Sequence, residues 1–242
     1  MAEAPAVSVV VACYNEEETL ARSFAEIKET LEDLGRSFEI VFVDDVSRDR
    51  TREILAGIVA ANPGLDVRVL LLERNRGRGA TVTDGFRAAR GEIAGYLDVD
   101  LEVHCRYIPS LVRAIEKGAD VATLRRIYAF QLGSVDRYLM SRGYSFLVRR
   151  LLDLPLRDTE TGFKFFRRKA VLPVLDQVKD PGWFWDTEFM TRAFRRGLRI
   201  IEVPGAYIRR ADKTSTVRGV QDSIRYFGKL LAFRRELRAE RA

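Results

Sequence analysis

Histidine and cysteine are nearly missing from this chain: one histidine and two cysteines in 242 residues. That excludes a disulfide framework and leaves too few soft ligands for a structural zinc site. The two thiols, Cys13 and Cys105, suit a reducing compartment. No run approaches the ~18–20 apolar residues that cross a bilayer. The N-terminus (Met1-Ala-Glu-Ala-Pro) has no basic region ahead of its short apolar stretch, so a secretory leader is not expected. Gly-x-Gly-x-x-Gly is absent after the first apolar run, and Gly-x-x-x-x-Gly-Lys-Ser/Thr is absent throughout. A dinucleotide fold and a P-loop nucleotidase are therefore disfavoured. No DNA- or RNA-reading motif is present, so nucleic acid is not an expected partner.

What remains is an ordinary globular composition, 47% hydrophobic and 31% charged, long enough to bury a substantial core. The net charge of +6 is concentrated in the last fifty residues, ending in Lys229, Arg234, Arg235, Arg238 and Arg241. A basic amphipathic terminus suits an anionic membrane surface, or is simply a solvated helix face.

Taken in order, the chain alternates β-branched runs with helical periodicity. Val7–Ala12 reads as a strand, followed by Tyr14-Asn15-Glu16-Glu17-Glu18. Asn15 is a natural cap for a helix there, with the acidic triplet in its first turn. Leu20, Phe24, Ile27, Leu31 and Leu34 mark that helix, which Gly35 ends. Phe38–Val43 is a second strand leading into Asp44-Asp45-Val-Ser47, with a helix from Thr51 to about Ala61. Val67–Leu72 is a third, followed by Asn75-Arg76-Gly77-Arg78-Gly79 and a helix through Arg90 that Gly91 closes. Ile93–Leu97 ends in Asp98-Val99-Asp100-Leu101-Glu102. Such alternation argues for a parallel sheet with right-handed crossovers.

In such sheets ligands bind beyond the carboxyl ends of the strands. Three polar or acidic clusters, Asn15/Glu16, Asp44/Asp45 and Asp98/Asp100, then share one rim. Alone, Asp98 and Asp100 could equally cap a turn. Together with the others they favour a divalent metal bound to a phosphate-bearing ligand, because hard cations prefer carboxylate oxygen.

Four segments, Val-Val-Ala12-Cys-Tyr14-Asn15-Glu16-Glu17, Val43-Asp44-Asp45-Val-Ser47, Asn75-Arg-Gly77-Arg78-Gly79-Ala80 and Asp98-Val-Asp100-Leu-Glu102, occur in the order and spacing of a known family. They resemble the family 2 inverting glycosyltransferases of GT-A fold, in the dolichol-phosphate mannose synthase and dolichyl-phosphate glucosyltransferase branch. Asp158-Thr-Glu-Thr161-Gly162-Phe-Lys164, Trp185-Asp186-Thr-Glu188 and Glu202-Val-Pro204 agree with it.

The resemblance implies an α/β GT-A domain over 1–242, with a mainly parallel central sheet flanked by helices. Residues 1–102 would form a Rossmann-like nucleotide-sugar half, 103–212 an acceptor side, and 213–242 a basic amphipathic helix. Ala12, Tyr14, Asn15 and Glu16 would line the nucleobase and ribose pocket. Asp44 and Asp45 would touch base or ribose, and Arg78 and Gly79 would lie beside the nucleotide. Asp98 and Asp100 would hold Mg²⁺ or Mn²⁺ on the diphosphate. Glu102, where the branch often has Gln, would complete the shell.

A phosphate acceptor is already ionised near neutral pH and needs a basic clamp more than a base. Arg125, Arg126, Arg209, Arg210 and Lys213 are the candidates. A hydroxyl acceptor would need a base, with Asp158, Asp186 or Glu188 first to consider. The expected reaction is hexose transfer from a GDP-mannose or UDP-glucose type of donor to a polyprenyl phosphate at the cytosolic membrane face. The alternatives are a soluble small-molecule acceptor, a sugar-nucleotide nucleotidyltransferase, or a silent binding protein of this fold. The mixed aromatic and arginine segment from Ile127 to Leu154 suits either a membrane interface or core packing with arginines reaching outward.

Overall fold

The first strand, β1 (Val7–Cys13), is buried along nearly its whole length, which is what a β-branched run between two helical layers becomes. In the computed structural model it lies inside a seven-stranded sheet. Residues 4–128, 135–208 and 219–240 are described, 135–141 and 219–224 by their backbone course only. Arg209, Arg210 and Lys213 lie outside the described residues.

The other strands are β2 (Phe38–Asp44), β3 (Val67–Leu71), β4 (Ile93–Leu97), β5 (Val121–Tyr128), β6 (Phe163–Arg167) and β7 (Ile200–Tyr207). Their order is β3-β2-β1-β4-β6-β5-β7. All run parallel except β6, which is antiparallel to both β4 and β5. The chain winds outward from β1 to β3 and then returns to place β4 on the other side of β1. That reversal opens a crevice at the carboxyl ends of β1 and β4.

Register fixes what stands there. Cys13 pairs with Asp44, so Tyr14 and Asp45 leave the sheet side by side. Val10 pairs with Tyr96, which puts Asp98 at about the level of Ala12.

Helices α1 (Leu20–Asp33), α2 (Thr51–Ala61) and α4 (Ile108–Glu116) pack on one face, around Phe24, Leu55, Leu111 and Ile115. Helices α3 (Arg78–Ala88), α6 (Arg168–Leu175) and α7 (Trp185–Arg195) pack on the other, around Val82, Phe86, Val174 and Phe189. Helices α5 (Val135–Leu152) and α8 (Gly219–Ala239) meet through a smaller cluster of Val148, Leu152, Phe184, Leu230, Phe233 and Leu237. The apolar side expected for the C-terminal helix is therefore partly core. Phe227 stays 42% exposed, as do Phe146 at 66% and Leu147 at 36% on α5, beside exposed Arg142, Arg149 and Arg150.

One helix start differs from the sequence expectation. Helix α1 begins at Leu20, not at the Glu triplet, because Asn15 takes a left-handed conformation (φ 56°) and its side chain accepts the Arg48 backbone N–H at 2.8 Å. Asn15 ties one loop to another and does not cap α1. In α7, Asp186 and Glu188 lie inside the first turn, so both face the positive end of the helix. No helix among the described residues is long and apolar enough to cross a membrane.

Candidate functional site

The loops after β1 and β2 are stitched into one rim. The Asn15 N–H donates to Ser47 Oγ at 3.0 Å and the Glu16 N–H to Thr51 Oγ1 at 2.8 Å. The Glu16 carboxylate accepts from Thr19 Oγ1 at 2.8 Å. Ala12 is half-buried, and Tyr14 remains 45% exposed, an aromatic face at the mouth of the crevice.

Asp44 and Asp45 stand on the same rim, but their carboxylates turn into the protein. Asp44 accepts from Arg52 Nε and the Ser47 N–H. Asp45 accepts the N–H groups of Arg76 (2.7 Å) and Gly77 (2.9 Å), holding the turn that launches α3. In this arrangement both shape the pocket wall. The Gly79 contribution is also close packing, since a Cβ there would lie 2.5 Å from Trp185 Cβ.

Beyond β4, the Asp98 N–H donates to the Gly162 carbonyl at 3.0 Å, and Leu101 adopts φ 52°. This turn presents Asp98, Asp100 and Glu102 from five consecutive residues. Asp98 Oδ1 accepts from Arg78 Nε at 2.9 Å and Nη2 at 2.7 Å. Burial raises the Asp98 pKa against the pull of Arg78, and repulsion from Asp100 adds to the rise. Glu102 is held at its carboxylate by the Tyr207 hydroxyl and at its carbonyl by the Ile208 N–H.

Asp186 is the centre of a second, buried group. It accepts from Arg78 Nη1 at 2.8 Å, from Lys164 Nζ at 2.5 Å and from the Tyr96 hydroxyl. Sequence reasoning gave Lys164 and Tyr96 no role. The telling signal was a lysine inside the apolar strand Phe163-Lys164-Phe165-Phe166, where only a paired charge is tolerated. Both of its oxygens are bound to cations.

Glu188 is committed elsewhere: it accepts from Arg192 Nε at 2.9 Å and from the N–H groups of Lys179 and Asp180. It braces the 179–182 loop. Asp158 is gripped by Arg126 through Nε–Oδ2 (2.8 Å) and Nη2–Oδ1 (2.9 Å). Burial would raise its pKa, but Arg126 overrides that and holds the carboxyl below its usual range. The same pair takes Arg126 out of the open phosphate-clamp role, as a strut beneath the Tyr128 and Tyr207 rings. Arg125 points to the other face of β5, the face of Lys164, and makes no ion pair among the described residues.

Glu160 was not singled out from sequence. It sits beside Arg126 Nη2 (3.4 Å), and burial together with Asp158 and Asp186 pushes its pKa up to about 7 despite Arg126. The folded state therefore holds this proton more tightly than the unfolded chain does. Stability should fall as pH rises from about 4.5 to about 7, then level off as far as this group is concerned. Glu160→Gln should flatten that slope, gaining roughly 2–3 kcal/mol at pH 8 and little at pH 4.5. Urea unfolding at the two pH values measures it; an equal effect at both would refute the assignment.

The donors suit a hard divalent cation. Three carboxylates in five residues are the oxygen set that Mg²⁺ or Mn²⁺ takes, and a guanidinium already lies against Asp98. A Cβ on Gly162 would come within 1.8 Å of Asp98 Oδ2, so only glycine leaves that oxygen room. Next to it, Thr161 Oγ1 is buried without a hydrogen-bond partner. Asp98, Asp100 and Glu102 do not themselves converge on one point. Among the described residues, the trio of His, Cys, Asp or Glu donors gathered within 4.8 Å is Glu26, His104 and Cys105. There His104 accepts the Arg106 N–H at 3.0 Å and faces Glu26 at 3.1 Å, a closed cap on the turn after Glu102.

The comparisons with known proteins agree with this architecture. Glucosyl-3-phosphoglycerate synthase from Mycobacterium tuberculosis, crystallised with Mn²⁺, UDP and glucosyl-3-phosphoglycerate, superposes with a TM-score of 0.70 at 20% identity, over 95% of this chain and 80% of that one. At that identity the likeness establishes the GT-A fold. Among curated proteins, glycosyltransferase AglD of Haloferax volcanii is 36% identical over 203 residues, covering 82% of this chain and 32% of AglD. Undecaprenyl-phosphate 4-deoxy-4-formamido-L-arabinose transferase of Pseudomonas aeruginosa is 36% identical over 169 residues, 70% of this chain and 49% of that protein. The chain thus spans about a third to a half of the length of these relatives. Residues 8–173, which carry all three acidic clusters and the Gly162 turn, match the family model described as glycosyl transferase family 2, and the chain is a member of that family.

Proposed function

We propose that this transferase moves a hexose, with inversion, from a nucleotide-sugar to a polyprenyl phosphate, using a divalent metal on the donor diphosphate. The observation that carries the reading is the rim itself. Asp98, Asp100 and Glu102 leave the carboxyl end of β4 at the point where the strand order reverses, next to the Tyr14–Glu16 loop. A metal bound there would neutralise the departing diphosphate. Everything else falls to this chain's residues. The exposed Tyr14 ring offers a stacking face for the base, and the 13–16 and 45–51 loops wall the ribose. Arg78, bonded to Asp98 and Asp186, would stand beside a diphosphate held at Asp98.

A phosphate acceptor brings its own charged oxygen, so no strong base is needed. Of the clamp candidates, Arg125 is the described one that makes no ion pair among the described residues. The relative's name, an undecaprenyl-phosphate transferase, supports this acceptor class. The exposed Phe146, Leu147 and Phe227 with the α5 arginines would suit approach to an anionic membrane from the cytosolic side.

A second reading, transfer to a soluble phosphorylated acceptor, is favoured by the structural neighbour crystallised with phosphoglyceric acid. A hydroxyl acceptor would need a base, and Glu160, near 7, is better poised than the committed Asp158, Asp186 or Glu188. One assay separates the two. UDP-glucose and GDP-mannose are offered with Mn²⁺, each with undecaprenyl phosphate in liposomes or with 3-phosphoglycerate in solution. Labelled lipid is the expected product; label on phosphoglycerate alone would overturn the lipid reading.

A further inference from the structure

Arg78 is the first residue of α3, and its side chain is only 12% exposed. Its guanidinium is enclosed on every side that chemistry can satisfy. Two N–H groups reach Asp98 Oδ1 and a third reaches Asp186 Oδ2. The Tyr96 ring lies 5.5 Å from its central carbon and the Trp183 ring 4.9 Å. Lys164 supplies the second positive charge, so two cations stand against Asp98 and Asp186 and neutralise those two carboxylates.

That neutrality conflicts with metal binding. A divalent ion on Asp98 would be placed against a guanidinium already bonded to the same carboxylate. Two like charges this close repel strongly in a partly buried site. The conflict ends when a polyanion arrives, because an arginine fork transfers readily from carboxylate to phosphate oxygen. Gly162 keeps this exchange sterically open, since a Cβ there would lie 2.5 Å from Arg78 Nη2. Trp183, 48% exposed on a loop braced by Glu188 and by the Pro181 carbonyl to the Ala80 N–H, covers the guanidinium.

Resting on the metal–diphosphate reading above, we propose that Arg78 is an internal counter-cation that competes with the divalent metal for Asp98. Metal then binds tightly only together with a nucleoside diphosphate that takes over Arg78. Arg78 is in this sense a positioning residue for the metal. Binding linkage makes the effect reciprocal: the factor by which the diphosphate tightens the metal is the factor by which the metal tightens the diphosphate.

The test measures Mn²⁺ binding directly, by the electron paramagnetic resonance signal of free Mn²⁺, with no turnover. In the parent chain, affinity should rise tenfold or more when UDP or GDP is added. Arg78→Met should bind Mn²⁺ without nucleotide at least tenfold more tightly than the parent, and the nucleotide enhancement should shrink to a few-fold. Trp183→Ala, which only uncovers the guanidinium, should move both quantities the same way by two- to threefold. It becomes the deciding variant if the circular dichroism of Arg78→Met shows loss of fold. Unchanged or weaker nucleotide-free binding in the folded variant overturns the competition. If instead Asp98→Ala binds Mn²⁺ with UDP or GDP as tightly as the parent, the metal reading itself fails, and this inference with it.

Discussion

Asp98→Ala and Asp100→Ala should each lower metal-dependent sugar transfer by on the order of 10³-fold in kcat or more, while melting close to the parent temperature. The size follows from what the carboxylates are asked to do. Charge stabilisation by a bound metal is worth several kcal/mol at a departing diphosphate, and every ~1.4 kcal/mol is tenfold in rate. The fold should tolerate the change because Asp98 sits on the rim with its side chain 41% exposed. Without it Arg78 keeps Asp186, so no buried cation is stranded. The measurement is initial rate against Mn²⁺ concentration, with a thermal melt on the same samples. Asp100→Ala should leave the Arg78 contacts intact, so a loss confined to Asp98→Ala would point to the arginine cage and not to a metal. Undiminished turnover in both would refute the metal assignment.

The rim was legible in the sequence because parallel strands advertise themselves. Val7-Ser-Val-Val-Val and Phe38-Glu-Ile-Val-Phe-Val are too apolar for half-exposed strands, and the polar residues that follow must lie at one edge. What the rim residues do with their side chains was less legible. Asn15 has the composition of a helix cap, but its left-handed backbone and bond to Arg48 depend on the neighbouring loop thirty-three residues away. Asp45 reads as a ligand and acts on the Arg76–Gly77 turn for the same reason. Local composition records which groups are present; the partner that claims each one comes from distant chain.

The second half was harder for a related cause. Strand β6 enters the sheet antiparallel between β4 and β5, and nothing in the spacing of Phe163-Lys164-Phe165-Phe166 says which neighbours it will have. Its insertion brings Lys164 into register with Tyr96 on one side and Thr123 on the other. Asp158 and Arg126 both read as site residues in the sequence, one as a base and one as a phosphate clamp. They prove to be each other's partner, a pairing that required strand β5 to pass beside the 158–162 turn. Glu160 escaped notice because its raised pKa comes from burial and from Asp158 and Asp186, one of which is twenty-six residues along the chain.

Lys164→Met should be the most destabilising single change at this site, by about 3–5 kcal/mol, the usual consequence of stranding one partner of a buried ion pair. Lys164 is fully buried, and its three ammonium hydrogens are matched by three acceptors: Asp186 Oδ1, the Thr161 carbonyl and the Tyr96 hydroxyl. Methionine fills a similar volume, so packing on the Tyr96 ring is retained and the loss is electrostatic. Asp186 would keep Arg78 and the Tyr96 hydroxyl but lose its ammonium partner, and the Thr161 carbonyl would lose its donor. For a chain of this length the drop corresponds to roughly 6–20 °C in melting temperature. Removing both charges should hurt less than removing one: Lys164→Met with Asp186→Leu should melt above Lys164→Met alone, because the core then holds no carboxylate that has lost its ammonium partner. The double variant should nonetheless be inactive, since Arg78 would have lost one of its two carboxylates. A single variant melting within about 2 °C of the parent would show that the lysine does not hold Asp186. In that case the cage around Arg78 would have to draw its rigidity from Asp98 and from the Tyr96 and Trp183 rings.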